Sequence, residues 1–199
     1  MEIRNLGWKS FRVKAGNASI ITYPYSQKET GTSFPKSIAE VVISNGDIDD
    51  SVIARISSKG RSSPFVITGP GEYEVSEIEV MGFPGGYWFK INDMTLVFLN
   101  SVDKKRIAKL SDDFQGVDIV FLGSDNAELS KEVLGKISPP ILIPYCSSQV
   151  DKKDLLSFSW AKKILDILDL ENTSPIDVLK VEKQSLSEET QVHLLRPKI

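Results

Sequence analysis

Val41-Val42-Ile43-Ser44-Asn45-Gly46-Asp47-Ile48-Asp49-Asp50 is the stretch on which the fold turns. Three β-branched residues in succession read as a buried strand, spanning Glu40 to Ser44. The strand runs straight into a turn crowded with acids. Beyond it, Val52, Ile53 and Ile56 fall on one face of a short helix beginning at Ser51. In α/β folds, ligands bind where the carboxyl ends of strands meet the following helices. Chemistry is therefore sought first at Asn45, Asp47, Asp49 and Asp50. That turn offers Asp and Asn side chains and no His.

Upstream, residues 3–13 alternate roughly, with Gly7 as a bend between two short strands, and Ala18 to Tyr23 reads as a further strand. Pro24 to Lys36 is rich in Ser, Thr, Gly and Pro and reads as loop. Downstream, Phe65-Val66-Ile67 leads to the breaker Gly69-Pro70-Gly71. Glu72 to Val75 and Ile78 to Val80 then alternate polar and apolar, as antiparallel strands with one wet face do. Asn92-Asp93 joins Tyr87–Ile91 to Met94–Leu99 as a hairpin.

Helix and strand alternate in the remainder. A helix is expected over Lys104 to Leu110 and a buried strand over Val117 to Leu122. Asp125 reads as an N-cap with Glu128 as its capping-box partner, followed by a helix and then a strand from Ile141 to Ile143. Leu155 to Leu170 carries the strongest helical spacing, with an apolar stripe wide enough to be well buried or to pack on a partner. Val178–Val181 and Gln191–Leu195 read as closing strands. Antiparallel strands first, then β-α-β-α-β, imply an α+β protein built as a four-layer αββα sandwich over residues 1–199.

Composition narrows the functions. The 199 residues are 41% hydrophobic and 26% charged, with a net charge of -3. An acidic balance argues against a nucleic-acid surface. No apolar run is long enough to span a membrane, and no signal-peptide pattern opens the chain, so a soluble cytoplasmic protein is expected. The single His193 and single Cys146 preclude a His-rich zinc site and an intramolecular disulfide.

Leu6–Phe11, Ile20–Pro24 and Pro64–Val75 together resemble stretches of the lactonase-like branch of the metallo-β-lactamase-fold hydrolases. Leu6-Gly7-Trp8-Lys9-Ser10-Phe11 is similar to that branch's opening Leu-Gly-His-Ser-Ser-Phe. Ile20-Ile21-Thr22-Tyr23-Pro24 resembles its Thr-Asp-Pro strand end, and Pro64 to Val75 resembles its most specific signature. Pro175-Ile176-Asp177-Val178-Leu179 and Leu195-Arg196-Pro197 resemble its tail. The resemblance implies a zinc-hydrolase ancestry, and the departures from it fall on the metal ligands. The Ser/Thr-His-x-His-x-Asp-His motif becomes Ser44-Asn45-Gly46-Asp47-Ile48-Asp49-Asp50, in which Asp49 alone keeps the family's residue. The remaining ligand positions fall on Trp8, Tyr23, Ser101 and Cys146, and the His-bearing loop shrinks to Gly82–Gly86.

Trp8, Tyr23, Asn45, Asp47, Asp49, Asp50, Ser101 and Cys146 therefore outline a vestigial cleft. No cofactor and no catalytic residue is assigned. The Asp cluster reads first as a helix N-terminus, where carboxylates are favoured. The alternative is a hard-cation site serving a hydrolase of lactones or phosphorylated small molecules. Trp8 and Tyr23 plug the old site or form an aromatic floor for a ligand. Cys146 reads as a buried inert thiol. The expected role is non-catalytic binding of a protein partner or small ligand, with self-association left open by the 155–170 stripe.

Overall fold

A computed structural model describes residues 1–100, 105, 114, 116–148, 150–170 and 173–199. The expected helix over 104–110, Lys105 excepted, and Ser101 lie outside the described residues.

Two sheets face each other. In the first, strands run in the order β14-β1-β2-β3-β5-β7: Leu179–Lys180, Glu2–Gly7, Ser10–Ala15, Ala18–Thr22, Val41–Ile43 and Phe65–Ile67. The second runs β15-β13-β12-β11-β10-β9-β8: Gln191–Val192, Ile141–Tyr145, Ile119–Gly123, Met94–Leu99, Gly86–Ile91, Ile78–Phe83 and Gly71–Val75. A small ribbon pairs β4 (Ser37–Ile38) with β6 (Ile56–Ser57).

Side-chain alternation divides the core into the interfaces that a four-layer sandwich requires. Ile20, Val41, Ile43, Leu96, Phe98, Ile119, Phe121 and Ile143 meet between the sheets. Their neighbours Val97, Leu99, Val120, Leu122 and Leu142 face the other way. There they pack with Val133 and Ile137 of α3 (Ser130–Ile137) and Ile164 of α5 (Lys162–Ile167). On the far side of the first sheet, Ile21 and Val42 pack with Val52 of α2 (Asp50–Ile53) and Leu155 of α4 (Lys152–Ser157). The Val-Val-Ile run is apolar throughout because both of its faces are covered.

Aromatic rings fill the central layer around Phe98. Its centroid lies 4.7 Å from Tyr145, 4.9 Å from Tyr23 and 5.3 Å from Phe121. Phe11 lies 4.9 Å from Phe121. Three of these contacts are tilted, and the Phe98–Phe121 pair is stacked at an interplanar angle of 22°.

The ends of the sequence meet. Glu2 pairs with Lys180 across β1 and β14, Asn5 Nδ2 donates to Leu195 O at 3.1 Å, and the Lys198 N–H donates to Asn5 O at 3.0 Å.

Three sequence expectations are corrected. The 155–170 segment is not one helix: α4 ends before Phe158, whose φ of 57° is left-handed, and α5 starts only at Lys162. Leu155 and Trp160 pack with the cluster outside the first sheet. Ile164, Leu165 and Leu168 pack with the one outside the second. One straight rod does not serve both, and this double duty explains the width of the apolar stripe. Asp125 is not an N-cap, because Ser124–Leu129 is a 3₁₀ turn tied back by the Asp125 N–H to Ser147 Oγ, and Glu128 instead holds Lys163 at 2.8 Å. Finally, the 24–36 stretch contains a helical turn, α1 (Gln27–Thr30), closed by a Ser26/Glu29 capping box. The Asn92-Asp93 hairpin forms as expected, with Ile91 opposite Met94 and Asn92 at φ 54°. No helix among the described residues is long and apolar enough to cross a membrane.

Phe98→Ala should lower unfolding free energy by about 3–5 kcal/mol, because the rings around it cannot close the cavity. Urea denaturation of the variant should show the midpoint falling with the m-value unchanged; a loss below about 1 kcal/mol would mean the aromatic layer repacks.

Candidate functional site

The cleft opens where the expected strand-end turn stands. It encloses about 500 Å³. The 44–49 turn forms one wall and α1 with Ser26 the other, while Trp8, Tyr23 and Tyr25 form the floor.

Trp8 reaches the floor from a tight turn. Gly7 and Ser10 are paired across β1 and β2, leaving Trp8 and Lys9 as a two-residue connection. Gly7 takes φ 124°, and a Cβ there would stand 2.9 Å from the Tyr25 ring, so both conformation and space call for glycine. Trp8 follows at φ 48°, an uncommon conformation for a bulky residue. Its indole N–H donates to Val150 O at 3.0 Å, and its ring meets Tyr25 edge-on at 4.8 Å. The Tyr25 hydroxyl donates to Leu6 O at 2.8 Å.

Tyr23 follows β3 directly, at φ 38°. Its N–H donates to Ile43 O at 2.7 Å, and its hydroxyl donates to Asn45 Oδ1 at 3.2 Å. Burial, reinforced by neighbouring Tyr87, pushes the Tyr23 phenol far above its ordinary range, so it is neutral at all physiological pH. Tyr87 hydrogen-bonds to Ser44 O at 2.6 Å and is itself pushed up to about 12 by burial. Lys9 Nζ sits 5.1 Å from the Tyr23 ring centre, within cation–π range.

The acidic residues do not converge. Asp49 caps α2, its Oδ1 accepting from the Ser51 N–H at 2.9 Å, and contact with the Ser51 side chain and backbone lowers its pKa. Asp47 lines the cleft but is exposed. Asp50 begins α2 outside the cleft lining. Cys146 is fully buried beneath the floor, in one apolar cluster with Trp8. Its Sγ–H donates to Ser148 O at 3.4 Å, and burial raises the thiol to about 11. The structure thus brings Trp8, Tyr23, Asn45, Asp47 and Asp49 to one cleft and leaves Asp50 and Cys146 off its wall.

The described residues of the cleft do not suit a zinc ion. Among the described residues, no group of three or more His, Cys, Asp or Glu side chains could hold a metal. The Cys146 thiol is protonated near neutrality, and the Trp8 and Tyr23 side chains offer no charged donor.

Lys9, Lys28, Ser26 and Thr30 of the cleft lining were not anticipated. The α1 wall had a visible signal, since Ser26-Gln27-Lys28-Glu29 matches the capping-box pattern inside the supposed loop.

The architecture is the metallo-β-lactamase fold. A protein from Thermotoga maritima assigned as a zinc-dependent hydrolase of the metallo-β-lactamase superfamily superposes with a TM-score of 0.72 at 14% identity, over 98% of each chain. The metallo-β-lactamase fold protein YhfI of Bacillus subtilis gives 0.56 at 10% identity, over 98% of this chain and 96% of that one. An isothiocyanate hydrolase from Delia radicum gut bacteria gives 0.55 at 11% identity, over 91% of this chain and 99% of that one. No family model and no curated protein sequence matches the chain.

Cys146 should react with iodoacetamide at about pH 8 roughly a hundredfold more slowly in the folded protein than in denaturant, from the thiolate fraction alone. Equal rates would place the thiol at the surface.

Proposed function

We propose that this protein has lost dizinc chemistry and acts by binding a small ligand in the cleft over Trp8 and Tyr23, without hydrolysing it. One observation carries the reading. Trp8 and Tyr23 stand at positions that the family resemblance assigns to metal ligands, and their polar tips are already committed, to Val150 O and Asn45 Oδ1. Aromatic rings here replace a polar, ion-holding floor with an apolar one, while an opening of about 500 Å³ is kept above them. Pockets of this size that combine an apolar floor with a few polar groups are typical of small-ligand sites. Lys9, Lys28 and the Asn45 amide supply donors at the walls, and Asp47 supplies an acceptor.

The hydrolase reading needs a cation on Asp47, Asp49 and Asp50. Asp49 is committed to capping α2, and Asp50 lies off the cleft wall, so the set lacks convergence. We further propose a cytoplasmic location, where a lone buried thiol such as Cys146 stays reduced.

Elemental analysis of purified protein, paired with lactone and phosphoester hydrolysis assays, tests the proposal. Metal well below one equivalent and turnover indistinguishable from buffer are expected. Stoichiometric zinc, manganese or magnesium, removable by chelator with loss of hydrolysis, would overturn it.

A further inference from the structure

The outer face of β8, β9 and β10 carries a trough that shares no lining residue with the cleft. Residues two apart on a strand share a face. Glu72 and Glu74 of β8, Glu79 and Met81 of β9, and Trp88 and Lys90 of β10 therefore stand together. The register makes two rows of them. Glu72 lies opposite Met81, which lies opposite Trp88. Glu74 lies opposite Glu79, which lies opposite Lys90. The trough encloses about 550 Å³. Met81 and Trp88 are half-buried in its floor, and Glu72, Glu74 and Glu79 are exposed at its rim.

The charge on this face is unbalanced. Lys90 is engaged by Glu79 at 3.2 Å. Glu72 and Glu74 have no ion-pair partner among the described residues, and Glu74 stands directly across from Glu79. Like charges in that position destabilise a sheet. Charged residues on an edge strand do guard against aggregation. Met81 and Trp88 pack on one side with the apolar cluster outside the second sheet and leave the rest of their surface open between the acids, which guarding does not require.

We propose that this trough docks an extended basic segment of a partner protein, crossing the three strands with Lys or Arg side chains. Their cationic heads meet Glu72, Glu74 and Glu79, and their aliphatic stems lie on Met81 and the Trp88 ring, where a cation is also attracted to the indole face. A second copy of this chain fits poorly. A two-fold interface sets the same patch against itself, which would bring Glu72 and Glu74 against their own counterparts, in a chain whose net charge is already -3. The proposal is independent of what the cleft binds.

Fluorescence anisotropy with a labelled peptide of alternating Lys and Val tests it, against a Glu–Val analogue. The Lys peptide should bind at low salt, be released at about 0.5 M salt, and leave the Glu analogue unbound. E72Q/E74Q and Trp88→Leu should each weaken binding about tenfold. The Glu positions are exposed, so E72Q/E74Q keeps the fold, which its thermal melt would verify. Unchanged binding by E72Q/E74Q, equal binding of the Glu analogue, or no binding up to about 1 mM peptide would overturn the proposal. So would sedimentation showing a dimer that E72Q/E74Q strengthens, since the occupant would then be a second copy.

Discussion

Contact between aromatic rings across the two sheets is the constraint on which the rest depends. Phe98 comes from the middle of the second sheet and Tyr23 from the end of a strand in the first, and their centroids stand 4.9 Å apart. Tyr145 closes on Phe98 from the next strand but one and donates its hydroxyl to Leu99 O at 2.8 Å. Sheets stack about 10 Å apart, and rings of this size fill that space from both sides. Each hydroxyl finds a carbonyl or amide oxygen, so a layer rich in tyrosine carries little cost for its polar tips.

The same layer forms the underside of the cleft. Tyr23 belongs at once to the central core, through Phe98, and to the cleft floor, through Asn45. A side chain with both duties is fixed on both ends. Trp8 is held in a similar way by Tyr25 and Val150. Both residues keep left-handed backbone conformations, which for bulky side chains store strain that the surrounding structure must overcome. Such strain concentrates at functional sites, and here it coincides with the turns where the family resemblance puts metal ligands. At both turns a left-handed backbone coincides with an aromatic side chain on the cleft floor.

Much of this was legible in the sequence because it rests on local signals. Val41-Val42-Ile43 announced a buried strand, Asn92-Asp93 a hairpin, and the Asp47, Asp49 and Asp50 cluster a helix start. The cleft could be outlined only because ligand positions in a related pattern pointed to Trp8, Tyr23 and Asn45, which are distant in sequence from one another. What stayed hidden depends on tertiary choice. The 155–170 stripe has helical spacing throughout, and nothing local reveals that its two halves serve different layers and must bend at Phe158. Asp125 sits where a cap should be, yet Ser147, far along the chain, claims its backbone. Lys9 and Lys28 look like ordinary surface charges until α1 folds over the cleft.

The pairing of β1 with β14 has a kinetic side. Glu2 waits for Lys180, and Asn5 waits for Leu195 and Lys198, separations that span nearly the whole sequence. Closing loops of that length precedes any reward from the contacts they allow, so topologies of this kind fold slowly. During synthesis β1 and β2 can form their hairpin early, but one edge of the first sheet stays open until residues 179–180 emerge. β1 is thus among the last of the described strands to be fully paired, and for that interval its free edge is a template for misassociation.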